Sequence, residues 1–127
     1  GSQAGSLSGS AAGTLDSTLD LTNASSTYSG AMSGTGGLTI SGGVETLTGS
    51  NDYTGNTIVA ANTGLTVSDG GTLNGTNSVQ NDGNVVLDNG HVTVTSQNDG
   101  QYWEGVVASG FSDGSNANMT LQNGSTL

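Results

Sequence analysis

The stretch Thr46 to Val67, TLTGSNDYTGNTIVAANTGLTV, holds neither apolar nor polar character for more than four or five residues. Its apolar pieces are Thr46-Leu47-Thr48, Thr57-Ile58-Val59 and Leu65-Thr66-Val67, each bounded by Gly, Asn, Asp or Ser. Alternation of Thr with Leu, Ile or Val is the period of two expected of a strand with one buried face. The bounding residues tolerate tight turns and left-handed backbone. The stretch therefore reads as short strands separated by corners, with Leu47, Ile58 or Val59, and Leu65 as the inward contributions of one layer.

The same texture extends outward in both directions. Upstream lie Leu19-Asp20-Leu21 and Leu38-Thr39-Ile40; downstream lie Thr72-Leu73, Val85-Val86-Leu87 and Val92-Thr93-Val94. Apolar residues nowhere recur at the three-and-four spacing of an amphipathic helix, and good helix formers are scarce, so the chain reads as all-β. From Leu65 the apolar centres fall near Leu73, Val79, Val85 and Val92, roughly seven residues apart, which is tighter than the ~8 to 12 of a sandwich or barrel. Stubs of this length make poor hairpins and stack well when a chain coils. The expectation is a right-handed parallel β-helix, a solenoid with three short strands and three corners per coil of about 20 residues, each coil ~4.8 Å above the last. Leu38, Ile58 and Val79 carry that spacing, and roughly six coils about 30 Å tall are predicted.

Composition agrees with such a layout. Leu, Ile, Val and Phe make up 24 of 127 residues, a fraction low enough to border on the disordered class. A solenoid buries only a thin central column and is held by hydrogen bonds between coils and by ladders of like side chains, so it needs little more. Residues 1–13 are almost entirely Gly, Ser and Ala and read as a linker or edge. The solenoid is expected over 14–127, with a loop near 99–116.

Ten carboxylates and no Lys or Arg give a net charge of −10. Nucleic acid is excluded as a partner, because phosphate recognition depends on basic residues, and anionic lipid surfaces are excluded on the same ground. The acids are scattered singly and read as a solvated exterior, with attraction of Ca²⁺, as a bridging ion, or of basic surfaces as the competing reading. No run approaches the ~20 apolar residues that span a bilayer. The start GSQAGSLSGSAAG lacks the basic and apolar regions of a signal peptide, so a targeting segment is expected outside this stretch.

Residues Tyr28 to Val67, YSGAMSGTGGLTISGGVETLTGSNDYTGNTIVAANTGLTV, resemble the autotransporter-associated β-strand repeat of passenger domains in bacterial type V secreted proteins. The matching places are Gly36-Gly37, Leu38-Thr39, Leu47 to Gly49, Asn51, Tyr53 to Gly55, Thr57 and Gly64-Leu65. Asn56 stands where Gly is commoner, and Ala60 to Gly64 is about a residue longer than usual. A weaker likeness to coil motifs of the same class covers Ala117 to Leu127. The resemblance implies a β-helix carried on the bacterial cell surface, translocated by a membrane barrel outside this stretch. Many such passengers act in adhesion, self-association, aggregation or biofilm formation. The expected partners are accordingly a second copy or a host or cell-surface ligand, with a passive spacer or self-stacking filament unit as the alternative.

No motif points to catalysis, and neither a cofactor nor a metal site is expected. Gly110-Phe111-Ser112-Asp113-Gly114 matches G-x-S-x-G, but a nucleophile elbow needs a following helix and a partnered histidine, and the only histidine, His91, precedes it. A lone histidine is a poor metal site. The Asp-Gly pairs at Asp69, Asp82, Asp99 and Asp113 lack the period of calcium-binding repeats and read as turns. The segment Gln101 to Phe111, QYWEGVVASGF, holds the single Trp, the single Phe and one of three Tyr. Tyr102, Trp103 and Phe111 are the candidate binding-loop residues, because exposed aromatics anchor sugars and proteins; a plug in a widened coil is the competing reading.

Overall fold

The structure is a computed structural model that describes the backbone of residues 2–94, 100–103, 106–109, 111–113, 118–122 and 124, and the side chains of residues 3–94. The described residues contain strands, bends and turns and no helix. The strands pair in parallel from coil to coil and form a β-solenoid of about five turns.

The first side stacks Ser2–Ala4, Leu19–Leu21, Leu38–Ile40, Thr57–Val59, Val79–Asn81 and Phe111–Asp113 in that order. The second side stacks Thr27–Tyr28, Val44–Leu47, Gly64–Ser68, Asn84–Asp88 and Asn118–Gln122. The third side carries Gly13–Leu15 paired with Met32–Gly34, then Ser50–Asn51, Thr72–Leu73 and His91–Val92. Bonds from Asp52 N to Met32 O (2.9 Å) and from Thr54 N to Gly34 O (2.9 Å) join those two groups into one continuous side.

Register sets the coil length. Ser2, Leu19, Leu38, Thr57, Val79 and Phe111 lie one above another, at steps of 17, 19, 19, 22 and 32 residues. The last, longest step contains an antiparallel pair, Gly100–Trp103 with Val106–Ser109. Residues 2–13 enter the stack at its first coil, where Ser2–Ala4 pairs with Leu19–Leu21 and Gly9 bridges to Tyr28.

The register corrects two expectations. Leu38 stands beneath Thr57, not Ile58, and Thr57 stands beneath Val79. Thr57 points inward because Tyr53 and Thr76 satisfy its hydroxyl there, and period two then turns Ile58 outward between Thr39 and Gln80. Leu47 belongs to the coil below Leu65 and Val67 rather than to the same layer, since Val67 pairs with Leu47.

The core is a set of vertical columns. Leu21, Ile40 and Val59 form one; Tyr28, Leu47, Val67 and Leu87 form another; Leu73 and Val92 continue a third above Asn51. Corners are tight enough to demand glycine. A Cβ on Gly36 would strike the Ser17 carbonyl, and one on Gly55 would lie 2.5 Å from the Gly36 carbonyl carbon. The backbone bond from Gly55 N to Gly36 O (2.9 Å) needs that close approach. Other corners use left-handed backbone at Asn62, Asp69 and Asn89, with φ of 65°, 54° and 53°, the residue types that enter this region at least cost.

Candidate interaction faces and a buried carboxylate

The aromatic candidates sit in two settings. Tyr102 and Trp103 lie on the antiparallel pair, where their backbones face Val107 and Val106. Phe111 returns to the first side, in register above Val79. Their side chains, with Gly110 and Gly114 of the G-x-S-x-G match, lie outside the described residues. Phe111–Asp113 is extended parallel strand rather than a strand-to-helix turn. His91 opens the strand His91–Val92 and is half-buried. Asp69 and Gly70 form a left-handed corner, with φ of 54° and 81°.

The outward surface differs from side to side. On the first side the outward rank is Gln3, Asp20, Thr39, Ile58 and Gln80. Asp20 there accepts a bond from Ser41 Oγ (2.5 Å). On the second side the central rank is Thr27, Thr46, Thr66 and Val86, all β-branched, flanked by Ser29, Thr48 and Ser68. No carboxylate appears in these ranks until Asp88, and Val44, 50% exposed, is the exposed large hydrophobic residue of the same side. β-branched side chains suit a half-exposed pleated surface, which accounts for the run without any partner.

Many corner hydroxyls are already committed. Ser29 Oγ donates to Gly9 O (3.2 Å), Ser33 Oγ to Gly13 O (3.4 Å) and Thr54 Oγ1 to Gly34 O (3.3 Å), each reaching the coil beneath. Asn77 Nδ2 donates to Asn56 Oδ1 (3.0 Å), and Thr72 Oγ1 to Ser50 Oγ (3.2 Å). The expected ladders of like side chains are thus present at single steps, and hydroxyl-to-carbonyl bonds add to the backbone hydrogen bonds that fasten coil to coil.

Polar groups also enter the core. Tyr53 Oη, Thr57 Oγ1 and Thr76 Oγ1 form a buried chain with spacings of 2.6 and 2.9 Å, ended by Gly55 O at 2.6 Å from Thr76. Burial pushes the Tyr53 phenol well above its ordinary value. Asn51 Oδ1 accepts from Met32 N (3.1 Å), so one core asparagine caps a gap in the third-side ladder.

Glu45 breaks the expectation that the acids form a solvated exterior. It is fully buried, while Asp16, Asp52 and Asp69 are exposed. It lies beneath Leu65 in the inward column and above Ser26, whose carbonyl oxygen accepts from Thr46 N (3.1 Å). Passing that small residue, Oε1 accepts from Ser6 Oγ (2.8 Å) and Leu7 N (3.2 Å) in the first coil. Oε2 is buried without a partner. Desolvation raises the Glu45 pKa, and the bonds from Ser6 and Leu7 oppose the rise only in part. The signal for its placement was in the sequence: Glu45 stands two residues before Leu47, so a strand that turns Leu47 inward turns Glu45 inward too.

Among the described residues no three of His, Cys, Asp and Glu converge as metal ligands. A hollow lined by Gly13, Leu15, Asp16, Leu19 and Met32 lies on the third side at the first two coils. No family model, curated protein or solved structure matches the chain.

Proposed function

We propose that the chain is part of a passenger region displayed on a bacterial cell surface, where it acts in adhesion or self-association rather than catalysis. The observation that supports this reading is the second side. A chain with net charge −10 and no basic residue repels its own kind wherever carboxylates meet. The strip of Thr27, Thr46, Thr66, Val86 and Val44 offers an approach free of that repulsion, with hydroxyls and methyls arranged at the coil repeat. The β-solenoid and the likeness of Tyr28 to Val67 to autotransporter repeats are compatible with it. Where exposed acids such as Asp16, Asp52 and Asp69 meet those of a second copy, contact would require a bridging cation such as Ca²⁺ between carboxylates.

The test is display of the chain on bacteria that do not otherwise clump. Expression is expected to cause aggregation, and Thr46→Asp with Thr66→Asp is expected to abolish it while the solenoid stays folded. Aggregation lost on chelation would instead assign the contact to cation bridging. Cells indifferent to expression would end the reading. A passive spacer is the alternative, and electron microscopy separates the two: regular end-to-end fibres of isolated protein support the spacer, discrete short rods support the adhesive.

A further inference from the structure

The first coil is fastened to the stack in an unusual way, and the atoms responsible include a carboxylate two coils away. On the second side, Asn23 N donates to Gly5 O (3.0 Å) and Ser29 N to Gly9 O (2.8 Å). Between those points side-chain oxygens hold the chain. Ser25 N and Ser26 N both donate to Ser6 Oγ (3.0 and 3.1 Å), and Ser6 Oγ and Leu7 N donate onward to Glu45 Oε1. The carboxylate thus completes the attachment of residues 5–9 from the interior.

We propose that Glu45 is an acid-closed latch: its neutral carboxyl keeps residues 5–9 docked on the stack, and its ionisation releases them, uncovering the edge of the second coil along Ala24 to Tyr28. The proposal is independent of the adhesive reading. An ionised Glu45 would be a buried charge whose Oε2 has no partner, in a chain with no Lys or Arg to compensate it. Such a charge is far more costly than a neutral carboxyl in the same place. The cheapest route to water is through the first coil, because the residue stacked above, Leu65, is fully buried, while Ser26 below is half-buried and itself covered by Ser6.

No other charge confuses the response. The first-coil segment contributes Ser6 and Leu7, and the strand above contributes Gly64–Ser68, neither with an ionisable group. The strand below, Thr27–Tyr28, contributes the Tyr28 phenol, which donates to Ala11 O (2.6 Å) and is raised by burial, so it stays neutral throughout. Because the closed carboxyl binds its proton more tightly than a solvated glutamate, the closed coil holds more protons than the open one between the ordinary glutamate value and the raised one. Docking is therefore full below that window, weakens as pH rises through it, and levels off above it.

Hydrogen exchange by NMR on the full chain tests this. The opening constants of the Leu7, Ser25 and Ser26 amides, corrected for intrinsic exchange, should rise about tenfold per pH unit inside the window. Amides of Thr66 and Val86 should keep their protection. Glu45→Gln should make the first-coil openings independent of pH. The same rise in Glu45→Gln, a rise of equal size at Thr66 and Val86, or protection that grows with pH would overturn the latch. The unsubstituted chain offers a second measurement that needs no variant: the Glu45 side-chain ¹³C resonance should titrate above the ordinary glutamate range, and a midpoint at or below it would also overturn the proposal. Ser6→Ala, which removes a bond favouring the charged form, should move that midpoint higher still.

Discussion

Two adjacent columns on the second side face the same interior and are built from opposite chemistry. Tyr28, Leu47, Val67 and Leu87 rise as an unbroken apolar column, each fully or almost fully buried. Two residues earlier in each strand, the neighbouring column runs Ser26, Glu45, Leu65 and Val85, polar in its lower half and apolar above. One strand period separates them, so backbone geometry cannot account for the difference. What differs is the coil beneath. On this side the upper strands pair residue for residue, and the inward residue of this column there has only to fill space. The first coil leaves donors at Ser6 and Leu7 that an apolar side chain could not satisfy. A solenoid interior is therefore not uniformly oily; its chemistry follows the hydrogen-bond needs of each junction.

Substitutions can erase or exaggerate that contrast. Leu65→Glu would carry the polar half one coil higher, directly above Glu45, with no small residue beneath to let it through. It should cost on the order of 4 kcal/mol or more, read as loss of cooperative urea unfolding at neutral pH. Leu87→Ala, which hollows the apolar column where both adjacent strands hold it, should cost about 2 to 5 kcal/mol by the same measurement. Ser6→Ala removes one of the two donors to Glu45 and the acceptor of Ser25 N and Ser26 N; a loss of about 1 to 3 kcal/mol is expected, confined to the first coil in hydrogen exchange. Val44→Ser, on the exposed outer face of the same strand, should stay within about 0.5 kcal/mol. If Leu87→Ala proved milder than Ser6→Ala, the apolar column would not be the principal source of stability.

Much of the architecture is legible in the residues. Short strands bounded by Gly, Asn and Asp, spaced too closely for a sandwich, point to coils, and the corner residues Asn62, Asp69 and Asn89 do adopt left-handed backbone. Register within a strand is harder. In Thr57-Ile58-Val59 hydrophobicity favours Ile58 as the inward residue, yet the buried hydroxyl chain of Tyr53, Thr57 and Thr76 turns Thr57 in. That chain joins residues 4 and 19 positions apart, and its second step exists only once the coils are stacked. Coil length is similarly hidden, because a corner can absorb extra residues without changing the strands it joins; steps of 19 and 22 serve the same column. Glu45 was legible by alternation and was obscured by composition, since a lone acid in an acidic chain reads as surface.

The span of the Glu45 contacts carries a consequence for how the protein comes apart. Coil-to-coil bonds such as Tyr28 to Ala11 and Thr63 to Ile40 reach 17 and 23 residues back, whereas Glu45 reaches 39 residues to Ser6 and 38 to Leu7. In a linear array of repeats with nearest-neighbour coupling alone, fraying at one end proceeds one repeat at a time. A contact that skips a repeat changes that arithmetic. The first coil is tied to the third as well as to the second, so under a steady pull on the amino terminus the first yielding event should break both attachments together, and the coils above should follow one by one.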